Sequence, residues 1–273
     1  MRLRRLSEIP TGIWLTPERF SEVEAAAYVT GIVAEATGSA GPSEGDSPSP
    51  PTTPVFVLYG IPDRDCTGEF SAGGLSQEAY LPWVQAIATA AGEASVVVLE
   101  PDALASATSC AAESSLVELI EQAVGILAEA EVTTYIDAGH SAWVPAADMA
   151  TLLRQAGVER VRGFATNVAN YQPQEAERSY AKSLSAMLDD AHYVIDTGRN
   201  GASTRSGEPV SEWCNPSDQA LGSPPEFVQD EDGLDARLWV KPPAESDGPC
   251  NGGPPAGDLW VERSLELATS AGW

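Results

Sequence analysis

The amino-acid sequence predicts an α/β protein whose parallel strands close into a barrel of the TIM-barrel type. Short apolar runs, rich in valine and isoleucine, alternate along the chain with stretches of helical periodicity, which is typical of a parallel α/β fold. The apolar runs are continuous, so both faces of the sheet are expected to be covered. Six or seven such units occur. They favour a barrel, although the pattern alone is also compatible with an open sheet.

The apolar runs give the strands, and the amphipathic stretches between them give the helices. Strands are predicted at residues 12–15, 55–59, 96–99, 133–136, 161–165, 193–195 and 238–240. Helices are predicted at residues 21–37, 78–91, 114–130, 146–156, 174–188 and 261–271. Each helix but the last leads towards another strand, which is the order that parallel pairing requires.

We assign all of these elements to one domain, residues 1–273, because this length suits one large α/β domain. Residues 38–54 are rich in proline, serine and glycine and are predicted to form a surface loop. A domain linker is the weaker interpretation, since residues 16–37 are too few to fold alone. Residues 201–226 and 242–258 are predicted to be irregular, and loops of that length in a compact domain are usually functional.

The chain is strongly acidic, with 40 acids, 15 bases and a formal net charge of −25. Nucleic acid and anionic membranes are bound by basic surfaces, so neither is an expected partner. A neutral polysaccharide is neither attracted nor repelled by this charge. Lys182 and Lys241 are the two lysines. Their scarcity is compatible with adaptation to salt, but the simpler interpretation is an acidic extracellular enzyme that its charge keeps soluble.

Acidic residues follow five of the predicted strands. They are Asp63 and Asp65, Glu100 and Asp102, Asp137, Asp196, and Glu245 and Asp247. The carboxyl ends of barrel strands form the active site, so these acids are expected to converge on one cavity. A single strand-end aspartate is more often a helix cap or a turn former. Five in series, with His140 and Lys241 close by in sequence, favour a site.

Three tryptophans accompany these acids: Trp14 in the first predicted strand, Trp143 after His140, and Trp213 in the long segment 201–226. Flat aromatic rings pack against the apolar faces of ligands such as sugars, while charged groups bind the hydroxyls. The sequence therefore predicts a sugar-binding cleft. The other tryptophans are interpreted as core or scaffold residues: Trp83, Trp239, Trp260 and Trp273.

Other chemistries fit the sequence poorly. It contains no G-x-S-x-G elbow, phosphate-binding loop or dinucleotide fingerprint. The two histidines, His140 and His192, have no ligand-like spacing, so we expect neither a metal nor a cofactor. His192 is interpreted as structural.

The four cysteines and the first residues bear on the cellular compartment. An even number of cysteines permits two disulfides without proving them. No apolar run approaches the length of a membrane helix. Residues 1–5 are basic, but no apolar signal core follows them. If the cysteines are paired, the protein is exported and its signal lies outside this chain.

Seven segments, in order along the chain, resemble glycoside hydrolase family 6, the inverting endoglucanases and cellobiohydrolases. They are residues 59–66 (YGIPDRDC), 99–102 (LEPD), 135–140 (YIDAGH) with Trp143, 163–171 (GFATNVANY), 195–201 (IDTGRNG), 213–215 (WCN) and 239–248 (WVKPPAESDG). Each motif alone is weak, but seven in order are specific. The resemblance implies a distorted barrel of about seven parallel strands and an inverting β-1,4-glucanase.

The resemblance also implies catalytic roles. Asp102 matches the general acid, Asp65 a carboxylate that modulates its pKa and relays protons, and Asp247 the base. Whether that base acts directly or through water is left open. The supporting residues are Asp137, a further carboxylate, Tyr59, which favours a distorted sugar ring, and Ser71, which helps to hold the water.

The substrate-binding groups implied by the resemblance are three sugar platforms, Trp14, Trp143 and Trp213, and three hydroxyl-binding residues, His140, Lys241 and Glu245. The family pairing implies two disulfides, Cys66 with Cys110 and Cys214 with Cys250. Each would fix a loop that carries site residues. A zinc site is the poorer alternative, because the sequence has no C-x-x-C spacing.

The modest loops predict an open cleft and internal cleavage of cellulose or a soluble β-1,4-glucan by a secreted monomer. An exo-acting cellobiohydrolase is the alternative within the family. A catalytically silent glycan-binding protein is the alternative from another class, and another polysaccharide substrate stays open.

Overall fold

The computed structural model describes residues 2–39, 52–64, 70, 72–109, 113–228 and 232–273. Within these residues the strands form one curled sheet of eight strands in the order β1-β2-β3-β4-β5-β6-β8-β7. The strands are β1 Ile13–Leu15, β2 Val55–Leu58, β3 Val96–Leu99, β4 Thr133–Asp137, β5 Gly163–Thr166, β6 His192–Asp196, β7 Glu226–Phe227 and β8 Leu234–Leu238. The seven pairings are all parallel except that of β7 with β8. The predicted distorted barrel of about seven parallel strands is confirmed.

The six longest helices in the described residues fall where the periodicity predicts them. The described helices are α1 Arg2–Ser7, α2 Glu22–Ala36, α3 Gln77–Ala91, α4 Ala103–Ala107, α5 Glu113–Glu129, α6 Ala146–Gln155, α7 Gln174–Met187, α8 Gly201–Ser206 and α9 Val261–Ser270. At the start of α2, Ser21 caps the Glu24 N–H while the Glu24 carboxylate accepts from the Ser21 N–H. This reciprocal capping box explains why that helix begins where the sequence indicates. In the described part of the chain, no helix combines the length and the apolarity needed to cross a bilayer.

Two apolar layers cover the two faces of the sheet. On the inner face, Val57, Val98 and Val194 pack against one another in the middle of the barrel. On the outer face, residues one position away in the strands, such as Phe56 and Leu99, pack under the helices. This alternation follows from the two-residue period of a strand and explains why continuously apolar strands are stable here.

The first and last parallel strands meet at a narrow seam. The Gly12 N–H, just before β1, donates to the Trp239 carbonyl, just after β8, over 2.9 Å. A Cβ atom on Gly12 would lie 2.3 Å from the Val240 carbonyl oxygen, so only glycine allows this approach. Within the described residues the seam has no ladder of strand pairing.

The last predicted strand is wrong in position. It was expected at residues 238–240, but β8 runs from Leu234 to Leu238. The charged residues Asp235 and Arg237 interrupt the apolar pattern of β8. The strand tolerates them because Asp235 pairs with Arg162 and Arg237 pairs with Glu226. Residues 239–240 instead leave the ladder and form the seam.

Short elements escape the sequence analysis. Residues 201–226 were predicted to be irregular, yet they begin with α8 and end in β7. Helices α1 and α4 were also missed; both are shorter than two full turns, too short to show a helical period. Most of the predicted surface loop, residues 40–51, lies outside the described residues.

Candidate active site

Contacts join neighbouring strand ends all the way round the carboxyl edge of the barrel. The Trp14 ring in β1 meets the Tyr59 ring after β2 edge-on, with centroids 5.2 Å apart. The Gly60 and Ile61 N–H groups then donate to Glu100 after β3, over 3.0–3.1 Å. The sequence therefore places its strand-end residues on one continuous rim over half of the barrel.

The other half of the rim is equally continuous. The Asn167 N–H donates to the Gly139 carbonyl over 2.8 Å, and the Asn167 side chain donates to the Asp196 carbonyl over 2.8 Å. The Asp196 carboxylate accepts from the Lys241 N–H over 3.1 Å. Finally the Trp14 indole donates to the Val240 carbonyl over 2.9 Å and closes the ring. Within the described residues, the strand ends that carry acids thus share one edge of the barrel, and the convergence of these acids on one cavity stays a prediction.

Strained backbone marks the end of β3. Glu100 has φ of 47° and Asp102 has φ of 67°, so both are in the left-handed region that residues with a side chain usually avoid. Such strain costs about 1–3 kcal/mol per residue and is typical of functional sites. Glu100 is buried against the backbone of the β2 end, which raises its pKa to about 7 through burial. The turn therefore holds Asp102 in a fixed place at the rim.

Asp137 is a buried carboxyl that forms no ion pair with any of the described residues. One oxygen accepts from the Asp102 N–H over 2.8 Å and from the Gly139 N–H over 3.0 Å. Its other oxygen, Oδ1, has no hydrogen-bond partner among the described residues. Burial, and then the negative charge of Asp102, raise the pKa of Asp137 well above its ordinary value. The site therefore favours the protonated form of Asp137.

Asp247 has the opposite environment. One of its oxygens accepts from Arg199 over 2.9 Å and from the Lys241 ammonium. The other accepts from the Tyr171 hydroxyl over 2.8 Å and the Asn215 N–H over 3.0 Å. Burial alone would raise the pKa of Asp247, but the Arg199 and Lys241 charges outweigh burial and hold it well below its ordinary range. Asp247 is therefore ionised, and four donors occupy its oxygens.

The residues predicted to bind hydroxyl groups lie on the same rim. His140 is mostly buried, which lowers its pKa to about 4, so the ring is neutral near pH 7. Its Nδ1 accepts from the Ala142 N–H over 3.3 Å, which leaves the proton on Nε2. Burial lowers the pKa of Lys241 and raises that of Glu245. To a ligand, His140 offers a neutral donor, Lys241 a cationic donor and Glu245 a carboxylate acceptor.

Two of the predicted sugar platforms are accessible. Trp143 and Trp213 are 39% and 42% exposed, as stacking on a ligand requires, whereas Trp14 is half-buried. Phe70, 50% exposed, lies with its ring centroid 6.2 Å from that of Trp213. Sequence analysis missed Phe70, because one phenylalanine beside a glycine-rich turn carries no distinctive pattern.

The tryptophans interpreted as scaffold behave differently. Trp83 and Trp239 are buried in the core, as predicted. Trp273 packs against Trp239, and Trp260 is half-buried beside α9. His192 bonds to Asp235 and Arg162 at the other end of the barrel, which agrees with its structural interpretation.

Several predicted residues cannot be placed. Asp65, Ser71 and the Cys66–Cys110 pair lie outside the described residues. On either side of this segment, the Arg64 N–H donates to the Gly73 carbonyl over 3.1 Å. Arg64 also lies over the Tyr59 ring and pairs with Glu18.

The Cys214–Cys250 disulfide is present and closes 36 residues. It lies beside Asn215, whose side-chain oxygen accepts from the Asp247 N–H over 3.0 Å.

Sequence analysis also missed three residues that hold the site: Tyr171, Arg199 and Glu177. Arg199 and Tyr171 appeared only inside motifs, with no signal of their function. Glu177 did carry a signal, because it lies on the buried stripe of α7 with Tyr180, Ala181 and Leu184. An acid at such a position is rarely buried without a purpose.

Comparison with known proteins decides the family. The model of the family described as glycosyl hydrolases family 6 matches residues 1–271. The chain belongs to glycosyl hydrolase family 6. Among its family 6 relatives, endoglucanase A of Cellulomonas fimi is 43% identical over 221 residues, which cover 81% of this chain and 48% of that protein.

Endoglucanase A of Thermobispora bispora is 36% identical to this family 6 chain, and the match covers 98% of the chain and 56% of the relative. The chain therefore spans about half the length of these two curated relatives. A solved relative is endoglucanase Cel6 from Mycobacterium tuberculosis, in complex with methyl-cellobiosyl-4-deoxy-4-thio-β-D-cellobioside. It superimposes with a TM-score of 0.88 at 36% identity and covers 100% of this chain and 90% of its own.

Proposed function

We propose that this family 6 protein is an endo-β-1,4-glucanase that hydrolyses internal bonds of cellulose or soluble β-1,4-glucans with inversion. The observation that carries the proposal is the pair of opposite carboxyl environments on one rim. The protonated form of Asp137, whose carboxylate accepts from the Asp102 N–H, is favoured, while Asp247 is held ionised. Glycoside hydrolysis with inversion needs one carboxyl of each kind.

In the proposed reaction, Asp102 gives its proton to the glycosidic oxygen as the bond from that oxygen to the anomeric carbon breaks. Water forms the new bond from the opposite face, and its proton leaves towards Asp247. Because four donors already occupy Asp247, we assign the transfer to a relay through a second water, with Ser71 and Asp65 as its supporting groups. Asp137 fixes the Asp102 backbone, over 2.8 Å, and Tyr59 contacts the distorted ring.

The glucan itself is proposed to lie along Trp14, Trp213 and Trp143, with His140, Lys241 and Glu245 bonding its hydroxyl groups. The relative of known structure was solved with a thio-linked cello-oligosaccharide, which supports a β-1,4-glucan as the substrate class. The two curated relatives named above are endoglucanases, which supports internal cleavage over release of cellobiose from chain ends.

We further propose that residues 1–273 form one catalytic domain that is active as a monomer and needs no metal or cofactor. Disulfides persist in oxidising compartments, so the Cys214–Cys250 bridge supports an extracellular location.

The test combines a substrate panel with the Asp102→Asn variant. Proton NMR should detect the α-anomer as the first product from cello-oligosaccharides, because attack from the opposite face inverts the β-linkage. On carboxymethylcellulose, viscosity should fall early relative to new reducing ends. Loss of the general acid should lower kcat by about 100-fold or more, while Asp148→Asn, an exposed control on α6, should change nothing.

Three results would count against the proposal. A β-anomer as first product would exclude inversion. Cellobiose as the sole early product, with slow loss of viscosity, would favour the exo-acting alternative. Binding of glucan without hydrolysis would favour the silent glycan-binding alternative.

A further inference from the structure

Behind the rim, helix α7 carries a fully buried carboxyl group, Glu177. Its Oε1 accepts from the Ser141 N–H over 2.9 Å. None of the ion pairs among the described residues includes Glu177. A buried acid without a cation is costly, and a glutamine would accept the same hydrogen bond. The carboxyl therefore needs an explanation beyond packing.

The loop that Glu177 contacts carries site residues. It consists of residues 138–144, between β4 and α6, and includes His140 and Trp143. One turn after Glu177, the Tyr180 hydroxyl donates to the Val144 carbonyl over 3.0 Å and approaches the Ala138 carbonyl at 3.4 Å. Helix α7 thus holds this loop at both ends and, through Glu177, in its middle.

Glu177 also acts on Asp137. Its negative charge adds to the effects of burial and of Asp102 in raising the pKa of Asp137. Burial raises the pKa of Glu177 itself to about 7, against the effect of the Ser141 hydrogen bonds. The titratable groups that interact with Glu177 are Asp137 from β4 and Tyr180 from its own helix. The carboxyl groups of Asp102 and Glu177 therefore act on Asp137 in the same direction, and each raises its pKa.

We propose that Glu177 is a positioning residue for this site, holding the loop of residues 138–144 and the Asp137 carboxyl from behind. The inference rests on the proposed glucanase function for its kinetic consequences, but not for its structural ones. The hydrogen bond from the Ser141 N–H fixes the position of the loop, and the negative charge of Glu177 raises the pKa of Asp137.

Two variants separate these effects. Glu177→Gln keeps the shape and the acceptor but removes the charge. It should leave KM for cellotetraose within about twofold and shift the alkaline limb of the kcat profile to lower pH by about 0.5–1 unit, because a neighbouring negative charge is lost. Glu177→Ala also removes the acceptor and should raise KM about fivefold or more as His140 and Trp143 lose their support. Glu175→Gln, exposed on the same helix, is the matched control and should do neither.

Two readouts do not depend on activity. The Ser141 amide should exchange its hydrogen about tenfold faster or more in Glu177→Ala and near the wild-type rate in Glu177→Gln. Carboxyl-carbon NMR should show a lower Asp137 pKa in Glu177→Gln. If wild-type protein hydrolyses no glucan, the proposed function fails, and these two measurements still decide the inference.

Two outcomes would overturn the inference. The charge is irrelevant if the Glu177→Gln pH profile and its Asp137 pKa both superimpose on those of the wild type. The hydrogen bond is irrelevant if Ser141 exchange is unchanged in Glu177→Ala. Should the alanine variant fail to fold, the glutamine variant alone decides, through its pH profile and the Asp137 pKa.

Discussion

Asp137 and Asp247 lie on the same rim, and both are almost completely buried, at 1% and 6% exposure. Yet their pKa values move in opposite directions. Arg199 and Lys241 surround Asp247, whereas the neighbours of Asp137 are the acids Asp102 and Glu177. Burial therefore does not decide which carboxyl keeps its proton; the placement of two cations does. The Asp247 side of the rim is cationic, and the Asp137 side is acidic.

The largest expected effect is on the cationic side. Asp247→Asn leaves Arg199 and Lys241 buried without their counter-charge, so we expect the free energy of unfolding at pH 7 to fall by about 3–5 kcal/mol. Urea unfolding followed by circular dichroism measures it. A loss below about 1 kcal/mol would show that the contacts of Asp247 behave like those of a solvated ion pair.

The disulfide on the cationic side comes next. Replacing both Cys214 and Cys250 by alanine removes a cross-link between residues 36 positions apart. The unfolded chain gains conformational entropy, so we expect the free energy of unfolding to fall by about 3–4 kcal/mol. The loss should be the same at pH 5 and pH 8, because the acidic side is not touched. A loss that depends strongly on pH would mean that the two sides are coupled.

The third prediction concerns the pH dependence of the acidic side. Glu177 has a folded pKa of about 7, above its unfolded value, so the folded state binds the extra proton. Its contribution to stability is fully present below the unfolded pKa and is lost as pH rises towards and through 7, by about 2–4 kcal/mol. Relative to wild type, Glu177→Gln should therefore gain stability between pH 5 and pH 8. Unfolding at both pH values measures this change, with Glu175→Gln as the control; a parallel shift of variant and wild type would contradict it.

The smallest expected effect is that of Asp137→Asn. Since the folded protein favours the neutral form of Asp137, a neutral amide that still accepts from the Asp102 and Gly139 N–H groups should cost less than about 1.5 kcal/mol of unfolding free energy at pH 6. The loss of unfolding free energy in Asp137→Asn should be compared with the loss in Asp247→Asn, measured in the same way. Equal losses would show that the acidic and cationic sides do not differ in how they hold a carboxyl group.

The positions of the acids in the fold were more predictable from the sequence than their environments. Residues after β3, β4 and β8 were predicted to share one edge because parallel strands all end there. The opposite environments of Asp137 and Asp247 were not predictable, since they depend on which side chains approach from distant segments. Arg199 and Tyr171 reach Asp247 across 48 and 76 positions of the chain.

The errors in the fold have the same origin. The predicted strand at 238–240 was displaced because Asp235 and Arg237, inside the true β8, find charged partners elsewhere in the fold. Glu177 was overlooked because helical periodicity predicts which face of α7 it lies on but not that it accepts a hydrogen bond from Ser141. Local pattern therefore predicts where an element lies, and long-range contacts determine what its polar residues do.

The seam at Gly12 links the closure of the barrel to the position of Trp14, a proposed sugar platform. A methyl group there would clash with the Val240 carbonyl oxygen, and that same oxygen accepts from the Trp14 indole. The oxygen that a Gly12 side chain would displace is therefore the one that holds the Trp14 ring, which is expected to touch a glucan. Replacing Gly12 would therefore weaken the closure of the barrel and displace the Trp14 ring at the same time. The two properties cannot be changed independently at this position.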